Sequence, residues 1–565
     1  MDKRTVSAVF LILVVIMAYQ LVILPKVSPP PEQQAPSAVQ QIPPAAPPAA
    51  APPVAAPAPP AFPPGAPVPA AQDSPAAVPL VPAGTERLSV PVGRPLYDAV
   101  LDTQRGGITS WRLNNYFYSK KAKEAPGEQV ELLLPRADEG ALGLKFTDSL
   151  SQSTFSAPLA MEEDEDGMLL WSVDQYGLLL KRQYRFDPEG YDVGMEIVLE
   201  NKGDSPRTVS WEIGLGPGLD LHRTTSGPDK PLPIAFVNGE IDKLKVKSAG
   251  QSQNVGRVSW IGIGDRYFLA AMAGLEGQLT GFVRKDEASE YEVGLQAEAI
   301  TIVPNQIVTY KIVAYLGPKE QDRLLSYNLG LEKSVNYGWF SWLALPFLSV
   351  LKFFYGYLNN WGLAILALTM LVKLALFPIS QTMYRSMKKM QSIQPQIQAL
   401  KKKYKDDSKG LQQETMALYK QYKVNPMAGC APMVIQIPVF FALYRVLYNA
   451  IELRGASFLY IPDLSMKDPY YIAPLLMGAT MILQQRMSPT SADPKQAKMM
   501  MFMPIIFTAM FLNFSSGLVL YFLFSNVMAI GEQTLVRKWT SRSDLAGVPV
   551  IREKSPGKGK KKKRG

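Results

Sequence analysis

Lys373 interrupts an otherwise apolar run, Leu363-Ala364-Ile365-Leu366-Ala367-Leu368-Thr369-Met370-Leu371-Val372-Lys373-Leu374-Ala375-Leu376-Phe377. A charge held inside a bilayer-spanning helix costs about 2.5–3.5 kcal/mol on insertion scales, so such a side chain usually faces protein or water. Two readings stand. The ammonium faces a polar, water-containing space, or it snorkels to the headgroups, since Pro378 is near. In the first case the chemistry is attraction: a fixed positive charge lowers the cost of bringing a polar or acidic group part-way into the membrane. Thr369 lies one turn back on the same helix face. Gln436, Gln484, Gln485 and Asn526 stand in other apolar runs and are candidates to line the same space. No Asp or Glu stands well inside these late runs, so Lys373 has no obvious ion-pair partner. A proton-coupled transporter would more often pair acids with bases along a relay.

Other chemistries lack their residues. The chain has one cysteine, Cys430, and one histidine, His222. That excludes an intrachain disulfide and a Cys/His zinc site. A Ser-His-Asp triad would have to use His222, and no nucleophile-elbow motif accompanies it. No phosphate-binding loop of the Walker type is present. No cofactor or metal and no enzymatic activity is expected. Phe440, Tyr521 and Phe522 lie within apolar runs, either as core or lipid contacts or as a surface for apolar ligands. The methionines of the segment after Lys373 and of Met499-Met500-Met501 are plastic contact surface or core filler.

The elements that position these residues follow from charge and periodicity. Of 565 residues 47% are hydrophobic, concentrated in the first two dozen positions and after Trp339; the net charge is +10. Val6 to Leu24 carries no charge and follows Lys3 and Arg4. It is long enough to span a bilayer and has no small-x-small site directly after it, so residues 1–24 are an uncleaved anchor with a cytoplasmic N-terminus. Residues 25–84 are dominated by Pro and Ala, cannot bury a core, and form an extended, disordered tether, a spacer that decouples the next domain. Residues 85–318 form an all-β domain on the periplasmic side. Val193, Met195, Ile197 and Leu199 alternate with polar or small residues, Asn201-Lys202-Gly203-Asp204 breaks the run, and Val209, Trp211, Ile213 and Leu215 alternate again, which is a hairpin signal. Val308, Tyr310, Ile312, Ala314 and Leu316 make a further strand.

Residues 319–360 turn helical. Trp339 to Tyr357 is apolar and aromatic and reads as a helix lying at the membrane interface. Spans follow at about Trp361 to Ile379, Met427 to Tyr448, Tyr470 to Met487, Lys498 to Asn513 and Gly517 to Leu535. With the anchor this is a polytopic α-helical membrane protein of six spans, both termini cytoplasmic. The loops agree with the positive-inside rule: Ser380 to Asn425 holds ten Lys/Arg against three acids, and the tail, residues 538–565, ends in a basic cluster. That tail suits ribosomal RNA or anionic lipid equally. Within residues 380–425, Met383, Met387, Met390, Ile393, Ile397, Leu400 and Tyr404 form one stripe. Leu411, Thr415, Leu418 and Tyr422 form another, so the segment is a helical hairpin, and Pro395 kinks its first arm or loosens its end.

Asn425-Pro426-Met427-Ala428-Gly429-Cys430-Ala431-Pro432, Gln436-Ile437-Pro438-Val439-Phe440-Phe441-Ala442-Leu443-Tyr444, Met487-Ser488-Pro489-Thr490 and Phe514-Ser515-Ser516-Gly517-Leu518-Val519-Leu520-Tyr521 resemble the YidC/Oxa/Albino family of membrane insertases. The resemblance is specific from about Trp339 to Trp539, and the large β-domain points to the Gram-negative form. It implies a bacterial inner-membrane protein that inserts and helps fold other membrane proteins, alone or with the Sec translocon. It implies a five-span core over residues 361–537, with a hydrophilic groove open to the cytoplasm and the lipid. Lys373 matches the groove's basic position, where many relatives carry Arg, and Thr369, Gln436 and Asn526 are placed beside it. A slide for departing client segments, between the third and fifth spans, would use Ile437, Phe440, Met477, Tyr521 and Phe522. The β-domain would be a supersandwich similar to that of sugar mutarotases. The partners implied are nascent membrane proteins, the Sec translocon, membrane lipids, and the ribosome and targeting factors through the hairpin and the basic tail.

Two alternatives belong to other classes. A sugar-converting enzyme would need a catalytic His with a carboxylate, and only His222 exists. A transporter or channel would rest on Lys373 alone, without intramembrane acids or a repeated span pattern.

Overall fold

The computed structural model describes residues 89–102, 106–118, 129–133, 141–148, 160–164, 167–173, 177–216, 230–246, 248–285, 291–405, 407–422, 431–487 and 494–539. The expected anchor, the Pro/Ala tether, His222, Cys430 and the basic tail lie outside these residues. So do Asn425 to Cys430 and Ser488 to Thr490 of the family-like motifs.

From Ser89–Gly93 to Ile307–Pro318 the described chain forms antiparallel sheets of four, five and nine strands. The alternating runs are strands. Val193, Met195, Ile197 and Leu199 are buried along Asp192–Asn201, and Val209, Trp211, Ile213 and Leu215 along Arg207–Leu215. Full burial of such a side chain is worth about 1.5–3 kcal/mol. These two strands are not a hairpin, however. Asp192–Asn201 pairs with Ile307–Pro318 and Leu178–Phe186 in the nine-stranded sheet. Arg207–Leu215 pairs with Tyr291–Ile302 and Leu144–Asp148 in the five-stranded one. Asn201 explains the crossing. It is fully buried, and its side-chain Nδ2 donates to the carbonyls of Ser205 and Ile302, both at 2.9 Å, so the chain turns out of one sheet and into the next. The inward faces then meet: the Trp211 and Tyr310 rings lie edge to face, centroids 4.9 Å apart.

After Pro318 the chain becomes helical. The described helices are α1 (Gln321–Ser326), α2 (Ser341–Leu358), α3 (Trp361–Lys403), α4 (Ser408–Gln421), α5 (Ala431–Asn449), α6 (Ile472–Met487), α7 (Pro494–Phe511) and α8 (Ser516–Trp539). Three are long and apolar enough to cross a membrane: α2, α3, and α8 over Ser516–Val536. Large apolar side chains face outward on several of them, including Leu371 and Leu374 on α3, Leu475 and Leu476 on α6, and Ile505 and Ile506 on α7. A belt of this kind needs lipid rather than water around it.

Two asparagines turn α2 into α3. Asn359 adopts the left-handed conformation (φ 47°), and Asn360 caps α3 by accepting from the Leu363 N–H at 3.0 Å. α3 holds 43 residues and runs unbroken through Pro378 and Pro395, so the apolar run and the first arm of the hairpin are one rod, roughly 65 Å long at 1.5 Å per residue. Past a turn capped by Asp407, α4 folds back. Ile393 and Ile397 are buried beneath Met390, Leu418, Tyr419 and Tyr422 in a small core separate from the main one.

The β-domain is docked on the helices, and both belong to one compact unit. Asp265 shapes the docking turn by accepting the Tyr267 and Phe268 N–H groups at 2.8 and 2.6 Å. Arg266 then reaches α5. Its Nε donates to the Tyr448 carbonyl at 2.5 Å, and its guanidinium lies 3.7 Å from the Tyr448 ring centre. In return Arg454, from the segment after α5, stacks 5.2 Å from the Phe268 ring centre. Beneath this turn Lys319 is only 7% exposed, and its Nζ donates to the carbonyls of Asp265 (2.8 Å) and Ser334 (3.3 Å). Burial pushes the Lys319 ammonium down to about 8, with the Asp265 charge opposing the fall.

Candidate substrate groove

α3, α5, α6 and α8 pack together and carry the groove and slide candidates. Lys373 is half-buried on α3. Thr369 is fully buried, and its hydroxyl donates to the Ile365 carbonyl of its own helix at 2.6 Å, so it supplies packing more than a free polar lining. Gln436 on α5 donates from Nε2 to the Tyr521 hydroxyl on α8 at 2.9 Å. Asn526 on α8 donates to the Thr480 hydroxyl on α6 at 3.3 Å, and Gln484 and Gln485 are half-buried near the end of that helix. The polar groups therefore link three helices in pairs.

The apolar candidates come from α5, α6 and α8. The Phe440 and Phe522 rings touch, centroids 5.4 Å apart, and Phe522 also meets Phe511 at 5.0 Å and Tyr521 at 5.1 Å. Ile437 and Phe440 are half-buried, whereas Met477 and Tyr521 are buried in the core. Phe440 and Phe522 thus form a partly open aromatic surface, with Tyr521 behind it and held by Gln436. Met477 sits beside Gly478, where any side chain would collide with Thr508, so α6 and α7 approach closely there.

A folded segment between α5 and α6 packs at one end of these helices. Asp468 is buried and accepts from the Tyr460 hydroxyl and the Ala473 N–H, both at 2.8 Å. The start of α8 is tied to the same segment, since the Ser516 N–H and hydroxyl each donate to the Met466 carbonyl at 2.7 Å. Lys352 on α2 bridges Asp322 (2.8 Å) and Glu452 (2.9 Å).

One buried acid was not apparent from the sequence. Glu532 is 8% exposed on α8, the helix packed against α3. Leu518, Tyr521, Ser525, Ala529, Glu532 and Val536 are all buried and spaced by three or four, one stripe of α8. Extending that stripe from Tyr521 would have found it.

The family described as 60Kd inner membrane protein matches residues 353–543, and the YidC periplasmic domain matches residues 89–350. The membrane protein insertase YidC of Syntrophus aciditrophicus (strain SB) is 41% identical over 473 residues, covering 80% of this chain and 86% of that protein. The chain belongs to the YidC family of membrane protein insertases. The YidC of Oleidesulfovibrio alaskensis is 40% identical over 477 residues, again covering 80% and 86%. A crystal structure of an active YidC insertase with its first transmembrane domain resolved covers 81% of this chain and 94% of its own, at 18% identity and a TM-score of 0.35. The two YidC family matches meet between residues 350 and 353, within α2. The β-sheet part is accordingly the YidC periplasmic domain, and the groove residues all fall in the inner-membrane part.

Proposed function

We propose that this chain inserts client proteins into the bacterial inner membrane and assists their folding, using the space around Lys373 as its groove. The observation that carries this reading is the 41% identity with a membrane protein insertase over 473 residues. In the groove, the Lys373 ammonium attracts the polar or acidic flank of a client, with Thr369, Gln436 and Asn526 around it. The client's apolar segment leaves into lipid across Ile437, Phe440 and Phe522, which the buried Met477 and Tyr521 support from behind. Insertion of this kind makes and breaks no covalent bond. The protein supplies a path on which neither the charge nor the apolar segment is fully exposed to the wrong solvent.

The topology we infer has six spans, with both termini and residues 380–425 in the cytoplasm and residues 85–318 in the periplasm. Charge distribution supports it. α2 lies along the outer interface: Trp339 is 95% exposed, and the Lys352 bridge to Asp322 and Glu452 suits a water-facing level better than the bilayer centre. The hairpin and the basic tail receive the ribosome and targeting factors, and the Sec translocon is a partner for some clients. Depletion of the host's own insertase with this chain supplied in its place tests the reading. Restored growth and restored insertion of single-span clients are expected. Failure of both at normal abundance would reject it.

A further inference from the structure

Leu459 lies in the segment between α5 and α6. Its backbone φ is 51°, in the left-handed region that a branched side chain seldom adopts, and it is 84% exposed. It stands at the tip of a tight hairpin, where Phe458 and Ile461 exchange both backbone N–H···O bonds at 2.9 Å. A glycine would take this position without strain, yet a large apolar side chain is held out of the protein there. A single exposed leucine needs no explanation, but one kept at a strained position does. The hairpin itself is fixed. Phe458 lies against Gly362 in the first turn of α3, where any side chain would strike its ring. Ile461 and Leu464 are buried, and the Leu464 carbonyl accepts the Gly517 N–H at 2.9 Å, at the start of α8. The tip is thus held against two helices and cannot turn Leu459 inward.

The segment also sorts its side chains. Its carboxylates are engaged locally: Asp463 accepts from the Ser465 N–H (2.8 Å) and hydroxyl (2.7 Å), and Asp468 is buried on the Tyr460 hydroxyl and the Tyr470 and Ala473 N–H groups. The exposed side chains are Leu459, Met466, Tyr470 and Lys467. A loop surrounded by water would do the reverse, with acids outward and leucine in. Aromatic, apolar and basic groups together are the composition of the headgroup level of a bilayer. Tyr470 leads directly into α6, whose Ile472, Leu475 and Leu476 are exposed parts of the apolar belt. We propose that this segment is seated in the headgroup layer, with Leu459 among the upper acyl chains and Lys467 on lipid phosphate. The occupant is lipid because the exposed face continues without a break into the belt of α6. The leaflet is the outer one, which rests on the topology inferred above, since residues 380–403 form the far end of α3. The same segment grips α3 and α8, so its lipid contact sets the depth of those helix ends.

Cysteine probes test this in the full-length chain carrying Cys430→Ser, reconstituted in vesicles of phosphatidylethanolamine and phosphatidylglycerol. An environment-sensitive dye is attached at Leu459→Cys, at Tyr470→Cys and, as a water-facing reference on the β-domain, at Glu240→Cys. Both segment probes are expected to emit at shorter wavelength than the reference. They should be quenched several-fold more by lipids carrying a nitroxide high on the acyl chain than by aqueous iodide. Reference-like emission with stronger quenching by iodide at Leu459→Cys overturns the proposal, whatever Tyr470→Cys does. Treating spheroplasts with a membrane-impermeant maleimide checks the side: it should reach Glu240→Cys and spare Lys409→Cys. Labelling of Lys409→Cys would overturn the topology and the outer leaflet with it, while the quenching still decides whether Leu459 meets lipid.

Discussion

The Gln436 side-chain amide donates to the Tyr521 hydroxyl at 2.9 Å, joining a polar groove candidate on α5 to an aromatic slide candidate on α8. Tyr521 is 1% exposed, so its position depends on this contact and on ring packing against Phe522. Tyr521→Phe keeps the ring and leaves the amide unpaired, at a cost of about 1–3 kcal/mol. Tyr521→Ala removes the ring as well, which costs about 3–5 kcal/mol in a core. Thermal unfolding in detergent should rank the parent above Tyr521→Phe and that above Tyr521→Ala, with client insertion surviving in the first variant and impaired in the second. Equal melting of all three would show the contact to be idle.

The docking turn makes a second claim measurable. Arg266→Ala and Arg454→Ala each remove a cation–ring contact worth about 0.5–2 kcal/mol, and the first also leaves the Tyr448 carbonyl without its donor. Hydrogen exchange should rise at residues 264–268 and 449–454 in both variants. Removing most of residues 85–316 exposes the same helical surface yet spares every groove residue, so complementation of a depletion strain should persist at reduced abundance. Unchanged exchange in both arginine variants would mean that the domain is held elsewhere.

The hairpin has its own small core, so it can be broken alone. Ile393→Asp places an unpaired charge where Ile393 is now fully buried. The lysine-rich arms should become quickly cleaved by trypsin, the span helices should persist, and insertion should be lost. Normal insertion by an opened hairpin would remove that element from the mechanism.

Lys319 gives a pH signature. Its ammonium titrates near 8 in the folded protein, below the ordinary 10.5, because of burial. The folded state therefore releases this proton before the unfolded state does, and stability from this group rises as pH climbs from about 8 to 10.5. Relative to Lys319→Met, the parent should gain melting temperature over that window. A constant difference between the two would contradict the assignment.

Much of the architecture was legible because burial imposes its own period. The strands around Ile197 and Ile213 and the stripes of the hairpin showed themselves through spacing alone. What stayed hidden was nonlocal. Nothing between Leu199 and Val209 says that the chain crosses to another sheet, since a break of Asn, Gly and Asp serves a hairpin or a crossing alike. The docking of the β-domain was hidden for the same reason: Arg266 and Tyr448 meet only in the folded protein. At the groove, Lys373, Gln436 and Tyr521 were visible as residue types out of place in apolar runs, and Thr369 was visible too, although its hydroxyl turns back onto Ile365. Glu532 was passed over because it stands near the end of its span, and only the phase of α8 marks it as buried.

The central claim is that the groove acts through the charge of Lys373. Protease protection of clients whose translocated segment carries zero to several acidic residues measures it, with each variant at matched abundance. Lys373→Arg should insert all clients. Lys373→Ala should fall behind as acidic residues are added, Lys373→Glu should be worst, and the uncharged client should be affected least. If Lys373→Ala and Lys373→Glu insert every client as well as the parent does, Lys373 merely snorkels and the groove does not work by charge.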